Sequence, residues 1–84
     1  MDSCLITFRS VTPAQRGESL LHRQGFACNL QRTPRMLADR GCGYSLRLRR
    51  IDLDRALELL RQHGIAFRKA YCMSSDGQPE EIGL

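Results

Sequence analysis

Apolar and polar residues alternate most cleanly over Tyr44-Ser45-Leu46-Arg47-Leu48-Arg49, with Tyr44, Leu46 and Leu48 on one side and Ser45, Arg47 and Arg49 on the other. That period of two predicts a strand with one buried face. Cys4-Leu5-Ile6-Thr7-Phe8-Arg9 is rich in β-branched and aromatic residues and predicts a second strand. Phe26, Cys28 and Leu30 alternate with smaller or polar neighbours over residues 26–31, and a last strand is expected from Ile65 to Met73.

Between these strands the period changes to that of a helix. Ala14, Gly17, Leu20 and Leu21 recur at helical spacing and predict one buried stripe; Leu53, Ala56, Leu57 and Leu60 predict another. Thr12 is placed to cap the first helix, with Pro13 at its first position and Gln15 closing a capping box. Asp52 is the expected cap of the second, with Ile51 stapled onto Ala56.

The two halves repeat. Leu20-Leu21-His22-Arg23-Gln24-Gly25-Phe26-Ala27 aligns with Leu59-Leu60-Arg61-Gln62-His63-Gly64-Ile65-Ala66, each reading as a helix end, a glycine stop and the approach to a strand. Gly25 and Gly64 stand where the chain should turn left-handed, a conformation that glycine enters without a Cβ penalty. Two tandem β–α–β units predict an α+β fold of the ferredoxin-like βαββαβ type, with two helices on one face of a four-stranded antiparallel sheet. By analogy with that topology the expected strand order is 4-1-3-2. Residues 4–73 would form this single domain, and 74–84, rich in turn formers, a flexible C-terminal tail.

A chain of 84 residues has room for one small core and little for an enclosed substrate cavity, so chemistry belongs on the surface or at an interface. No apolar run approaches the ~18 residues of a membrane helix, and the N-terminus lacks the basic and apolar regions of a signal peptide. The expected location is therefore cytoplasmic, with no membrane partner. Of thirteen basic residues twelve are arginine, and the net charge is +4. Three of the nine acids, Asp76, Glu80 and Glu81, lie in the tail, so the body is more basic still. That favours anionic partners or an electropositive site.

Cys4, Cys28, Cys42 and Cys72 include no Cys-x-x-Cys pair, which argues against a zinc site; a reducing compartment argues against disulfides. Most of the four read as small core residues. Cys4 and Cys72 fall on strands expected to be neighbours, where buried packing is weighed above a resolving pair. Cys42 differs, because Gly41 and Gly43 flank it at the mouth of a strand. Thr33 and Pro34 suggest a short helical turn from Pro34 to Arg40 before it. Arg32, Arg35, Arg40, Arg47, Arg49 and Arg50 lie within ten residues of it, with Asp39 the nearest carboxylate, and cationic neighbours favour the reactive thiolate. Gly41-Cys42-Gly43 therefore has two readings, a flexible turn with cysteine as a neutral occupant or an accessible low-pKa thiol.

The opening Leu-Ile-Thr-Phe strand, Leu-Leu-x-x-x-Gly before the second strand, the Pro34-Arg35 turn, Cys42-Gly43 and Asp52-Leu53-x-x-Ala56-Leu57-x-Leu59-Leu60 together resemble the putative Se/S carrier protein-like family over about residues 4–73. The resemblance implies a cytoplasmic relay of sulfur or selenium on Cys42, with no cofactor beyond the covalently carried atom. Arg40, with Arg35 or Arg47, would stabilise the anion, and Gly41 and Gly43 would give access. The implied partners are a donor such as a cysteine desulfurase and an acceptor protein, which makes the chain a carrier rather than a stand-alone catalyst. The arginine-rich surroundings, with Asp39-Arg40 before Gly41, depart from the family's expected neighbourhood. His22 and His63 read as structural residues near helix ends. The competing class is a small basic binding module. RNA-recognition domains share the βαββαβ plan but expose aromatics on their central strands, and Tyr44–Arg49 lacks such a run, so nucleic acid is the less favoured partner. Burial of an open sheet face against a second copy would make a homodimer and is compatible with thiol carriage.

Overall fold

The repeat is realised as two helices of equal length. Helix α1 spans Val11–Arg23 and α2 spans Arg50–Gln62, thirteen residues each. Both end the same way: Phe26 N–H donates to the Leu21 carbonyl and Ile65 N–H to the Leu60 carbonyl, each at 2.9 Å. The chain turns at Gly25 with φ +87° and at Gly64 with φ +67°, where an L side chain would be strained. The helix starts lie two to three residues earlier than the capping residues predict. Ser10 precedes α1 and Arg49 precedes α2, neither with a side-chain cap. Pro13 then sits within the first turn, where its missing N–H costs nothing, and Asp52 lies in the first turn of α2 with its carboxylate 3.0 Å from Arg49 Nε. Ile51 is 82% exposed, so the expected staple onto Ala56 does not form.

The computed structural model describes residues 3–35, 37, 43–74 and 76–83. Its strands are β1 (Ser3–Phe8), β2 (Cys28–Arg32), β3 (Tyr44–Arg49), β4 (Ala70–Met73) and β5 (Pro79–Ile82). They form one antiparallel sheet in the order β2-β3-β1-β4-β5. The order 4-1-3-2 is therefore present with a fifth strand added at the β4 edge. The four-stranded expectation is corrected here, and Pro79–Ile82 of the expected tail form the added strand. Ser74 N–H bonds the Gln78 carbonyl, Asp76 accepts from Ser74 Oγ and from Gln78 N–H, and Gly77 turns at φ +82°. The turn formers of the tail thus close a hairpin. The last strand before it starts at Ala70 rather than Ile65, because Thr7 meets two residues. Its N–H donates to the Lys69 carbonyl while its own carbonyl accepts from Arg68 N–H, both at 2.8 Å, which interrupts regular pairing as a bulge.

Register places Cys4, Ile6 and Phe8 beside Leu48, Leu46 and Tyr44, with Cys28 and Leu30 beyond them and Ala70 and Cys72 on the other flank. These side chains and the stripes of both helices form the core. A Cβ on Gly17 would lie 3.2 Å from both Leu46 Cδ1 and Leu60 Cδ2, so α1 approaches the sheet and α2 through its glycine. On the opposite sheet face Leu5, Thr7 and Ser45 are also buried, and Leu37 with them. Pro34 and Leu37 lie against that face beside Leu5, so it is not the fully open surface that the two-layer plan suggests.

Candidate thiol site at the mouth of β3

Three of the four cysteines are committed elsewhere. Cys4 and Cys72 stand directly opposite on β1 and β4, with Cα atoms 4.0 Å apart, and are joined by a disulfide. Alternation from the hydrogen-bonded Thr7–Lys69 position makes theirs a non-hydrogen-bonded pair, the kind in which cross-strand side chains lie closest. The expectation of two merely packed thiols is corrected accordingly. Cys28 is free and buried; burial first, and then the Glu18 carboxylate, push its thiol up to about 11. Glu18 is held by the Leu30 N–H at 3.0 Å, and His22 Nε2 donates to the Cys28 carbonyl at 2.8 Å, so that histidine braces backbone. Neither Cys28 nor the bonded pair offers a nucleophile at neutral pH.

Cys42 lies outside the described residues, together with Arg40 and Gly41. The structure does define the base of the loop that carries them. Thr33 N–H donates to the Gly43 carbonyl at 3.1 Å, and the Thr33 and Ser45 hydroxyls share a buried hydrogen bond of 3.1 Å. The segment from 34 to 42 is therefore pinched closed where it leaves β2 and enters β3. Leu37 N–H reaches back to the Pro34 carbonyl at 2.9 Å, a single turn at the start of the predicted Pro34–Arg40 helix. Gly43 is exposed, and a Cβ there would meet nothing within 4 Å.

The family model described as putative Se/S carrier protein-like matches residues 3–72, most of the chain. The chain belongs to this family. No curated protein and no solved structure matches it. The match takes in the Se/S carrier-like body from β1 into β4 and stops short of β5.

Among the predicted anion-stabilising residues of this Se/S carrier-like chain, Arg47 lines a cavity of about 200 Å³ with Leu5, Gln31, Pro34 and Leu37. Arg35 is exposed on the connection and does not line it. Arg32, counted among the nearby arginines but given no role of its own, is the last residue of β2. It pairs with Tyr44 across the sheet and sets its guanidinium 5.7 Å from that ring's centroid. The Thr33–Ser45–Gly43 clamp is also missed, since no local pattern announces a contact that depends on strand register. Among the described residues no three His, Cys, Asp or Glu side chains gather as a metal site, and no helix is long and apolar enough to cross a membrane.

Proposed function

We propose that this protein carries sulfur or selenium covalently on Cys42, passing it from a donor enzyme to an acceptor. The observation that supports this most directly is the state of the other cysteines: two are tied to each other and the third is buried with a raised pKa. Family membership supplies the class of cargo.

In the proposed reaction the Cys42 thiolate attacks the terminal sulfur of a persulfide on a donor such as a cysteine desulfurase. The donor's sulfur–sulfur bond breaks, its cysteine leaves as a thiolate, and Cys42 keeps the transferred atom as a persulfide anion. Selenium would move in the same way as a selenopersulfide. An acceptor thiolate then attacks the outer atom and Cys42 departs as a thiolate, so each transfer is electron-neutral. Arg35 and Arg47, with Arg40 by sequence, hold positive charge around the anion, and cationic neighbours favour thiolate over thiol. Gly41 and Gly43 keep bulk away from the approaching partner.

Incubation with a cysteine desulfurase and cysteine, followed by intact mass measurement, tests the proposal. Wild type and Cys28→Ser should each gain the mass of sulfur, reversed by reductant, and Cys42→Ser should gain none. Equal loading of Cys42→Ser would overturn the assignment.

A further inference from the structure

The helix side of the molecule carries a basic trough far from the face that Pro34 and Leu37 lie against. One depression, of about 460 Å³, lies between α1 and the segment after α2, lined by Thr12, Gln15, Arg16, Ser19, Arg23 and His63. A second, of about 290 Å³, is lined by Arg9, Ser10, Pro13, Phe67 and Arg68. The two depressions share no lining residue, but Thr12 and Pro13 on one wall, and Ile65 and Ala66 on the other, are sequence neighbours, which sets the depressions side by side along one seam.

Its chemistry is one-sided. Four arginines line it and no carboxylate does. Among the described residues the guanidinia of Arg9, Arg16, Arg23 and Arg68 make no ion pair, whereas Arg49, Arg61 and Lys69 each have a carboxylate partner. The nearby acids point elsewhere: Glu18 to the Leu30 N–H, Glu58 to Arg61 and Gln62. Arg16 and Arg23 are seven residues apart on α1, roughly 10 Å along the axis, and Ser10, Thr12, Gln15 and Ser19 intersperse neutral hydrogen-bonding groups. Arginines alternating with hydroxyls and amides are what a run of phosphates is met by. The seam also has apolar surface at Pro13, Ala66 and half-buried Phe67, whose ring lies 5.6 Å from the Arg61 guanidinium. Duplex bases are hidden in the stack, so this surface is usable only by exposed bases.

We propose that the trough between α1 and residues 63–68 binds a single-stranded nucleic acid, with Arg9, Arg16, Arg23 and Arg68 on the phosphates and bases against Pro13, Ala66 and Phe67. The site is separate from the thiol chemistry and does not depend on it. It also differs from the surface that an RNA-recognition domain uses, since the strands take no part.

Fluorescence anisotropy with a short labelled oligouridylate tests this. Four phosphate contacts at about 0.7 counterion each predict an affinity loss of roughly 50-fold between about 50 and 200 mM salt. The Arg16→Glu/Arg23→Glu double variant should bind at least tenfold more weakly with a salt slope about halved. Arg16→Lys/Arg23→Lys should keep most of the binding, and Arg55→Glu, the same reversal at a single residue elsewhere on the helix layer, should leave the salt slope near that of wild type. Cys42→Ser should bind like wild type. No binding in the low-salt buffer would overturn the proposal, as would equal loss in Arg55→Glu and the double variant. Binding of the matching duplex, or of polyglutamate at equal charge, as tightly as the oligouridylate would also overturn it, by showing a surface without preference for an open strand.

Discussion

Cys28 keeps its proton because ionisation would put charge into the apolar layer between α1 and the sheet, next to the carboxylate of Glu18. Two outcomes follow at the scale of this residue. Iodoacetamide at pH 8 should modify Cys42 in the native protein and reach Cys28 only after denaturation, which peptide mass mapping would show. The folded thiol ionises near 11 and the unfolded one near 9, so the native state binds more protons between these values. Stability should therefore be level below about pH 9 and fall as pH rises towards 11, and Cys28→Ala should flatten that alkaline limb in urea titrations. The local sequence shows Gly25 and Gly64 plainly, because a left-handed turn is a local demand. The Cys4–Cys72 bond is not legible in that way. It depends on two residues becoming exact cross-strand partners, and one residue of slippage would send their side chains to opposite faces.

At the scale of elements, α1 owes its close seat to Gly17, whose missing side chain leaves room for Leu46, Leu60 and Phe8. Gly17→Val should lower unfolding free energy by about 1–3 kcal/mol through overpacking, read as a lower urea midpoint with unchanged slope. The buried stripes of both helices and the whole of β3 follow from periodicity, since a two-layer fold writes its burial directly into sequence spacing. Periodicity says less about residues 65–69. They run extended, yet the bulge opposite Thr7 takes them out of regular pairing, and the cause sits sixty residues away. Pro79–Ile82 is misread for a different reason. Asp76-Gly77 is as much a hairpin signal as a sign of disorder, and which one applies depends on whether β4 has a free edge to pair with. The candidate site divides similarly: Cys42 and its glycines are visible in sequence, whereas the clamp that closes their loop comes from Thr33, Gly43 and Ser45 meeting in register.

For the whole molecule, the disulfide ties strands 68 residues apart, so nearly the entire chain lies inside one covalent loop. In the chain-entropy account closing a loop of this size is worth about 4 kcal/mol, the usual measured range being about 2–4. Adding reductant should lower the melting temperature of wild type by ten degrees or more, on the order of 4–8 °C per kcal/mol for a domain of this size, and leave a Cys4→Ala/Cys72→Ala variant unmoved. Sulfur loading and nucleic-acid binding are then best compared in both redox states, because the bond spans β1 and β4 beneath the helices rather than either surface.

The hairpin at the chain's end also decides what the sheet shows to its neighbours. A four-stranded version of this protein would finish on β4, Ala70-Tyr71-Cys72-Met73, an apolar ribbon whose unpaired amides invite stacking by another molecule. β5 covers that ribbon and ends the sheet on a strand that opens with Pro79 and continues through Glu80 and Glu81. Proline withholds a donor and the Glu80 carboxylate repels copies of itself, while Glu81 is paired with Lys69, so these few residues beyond the family body serve as a guard against fibre-like self-addition.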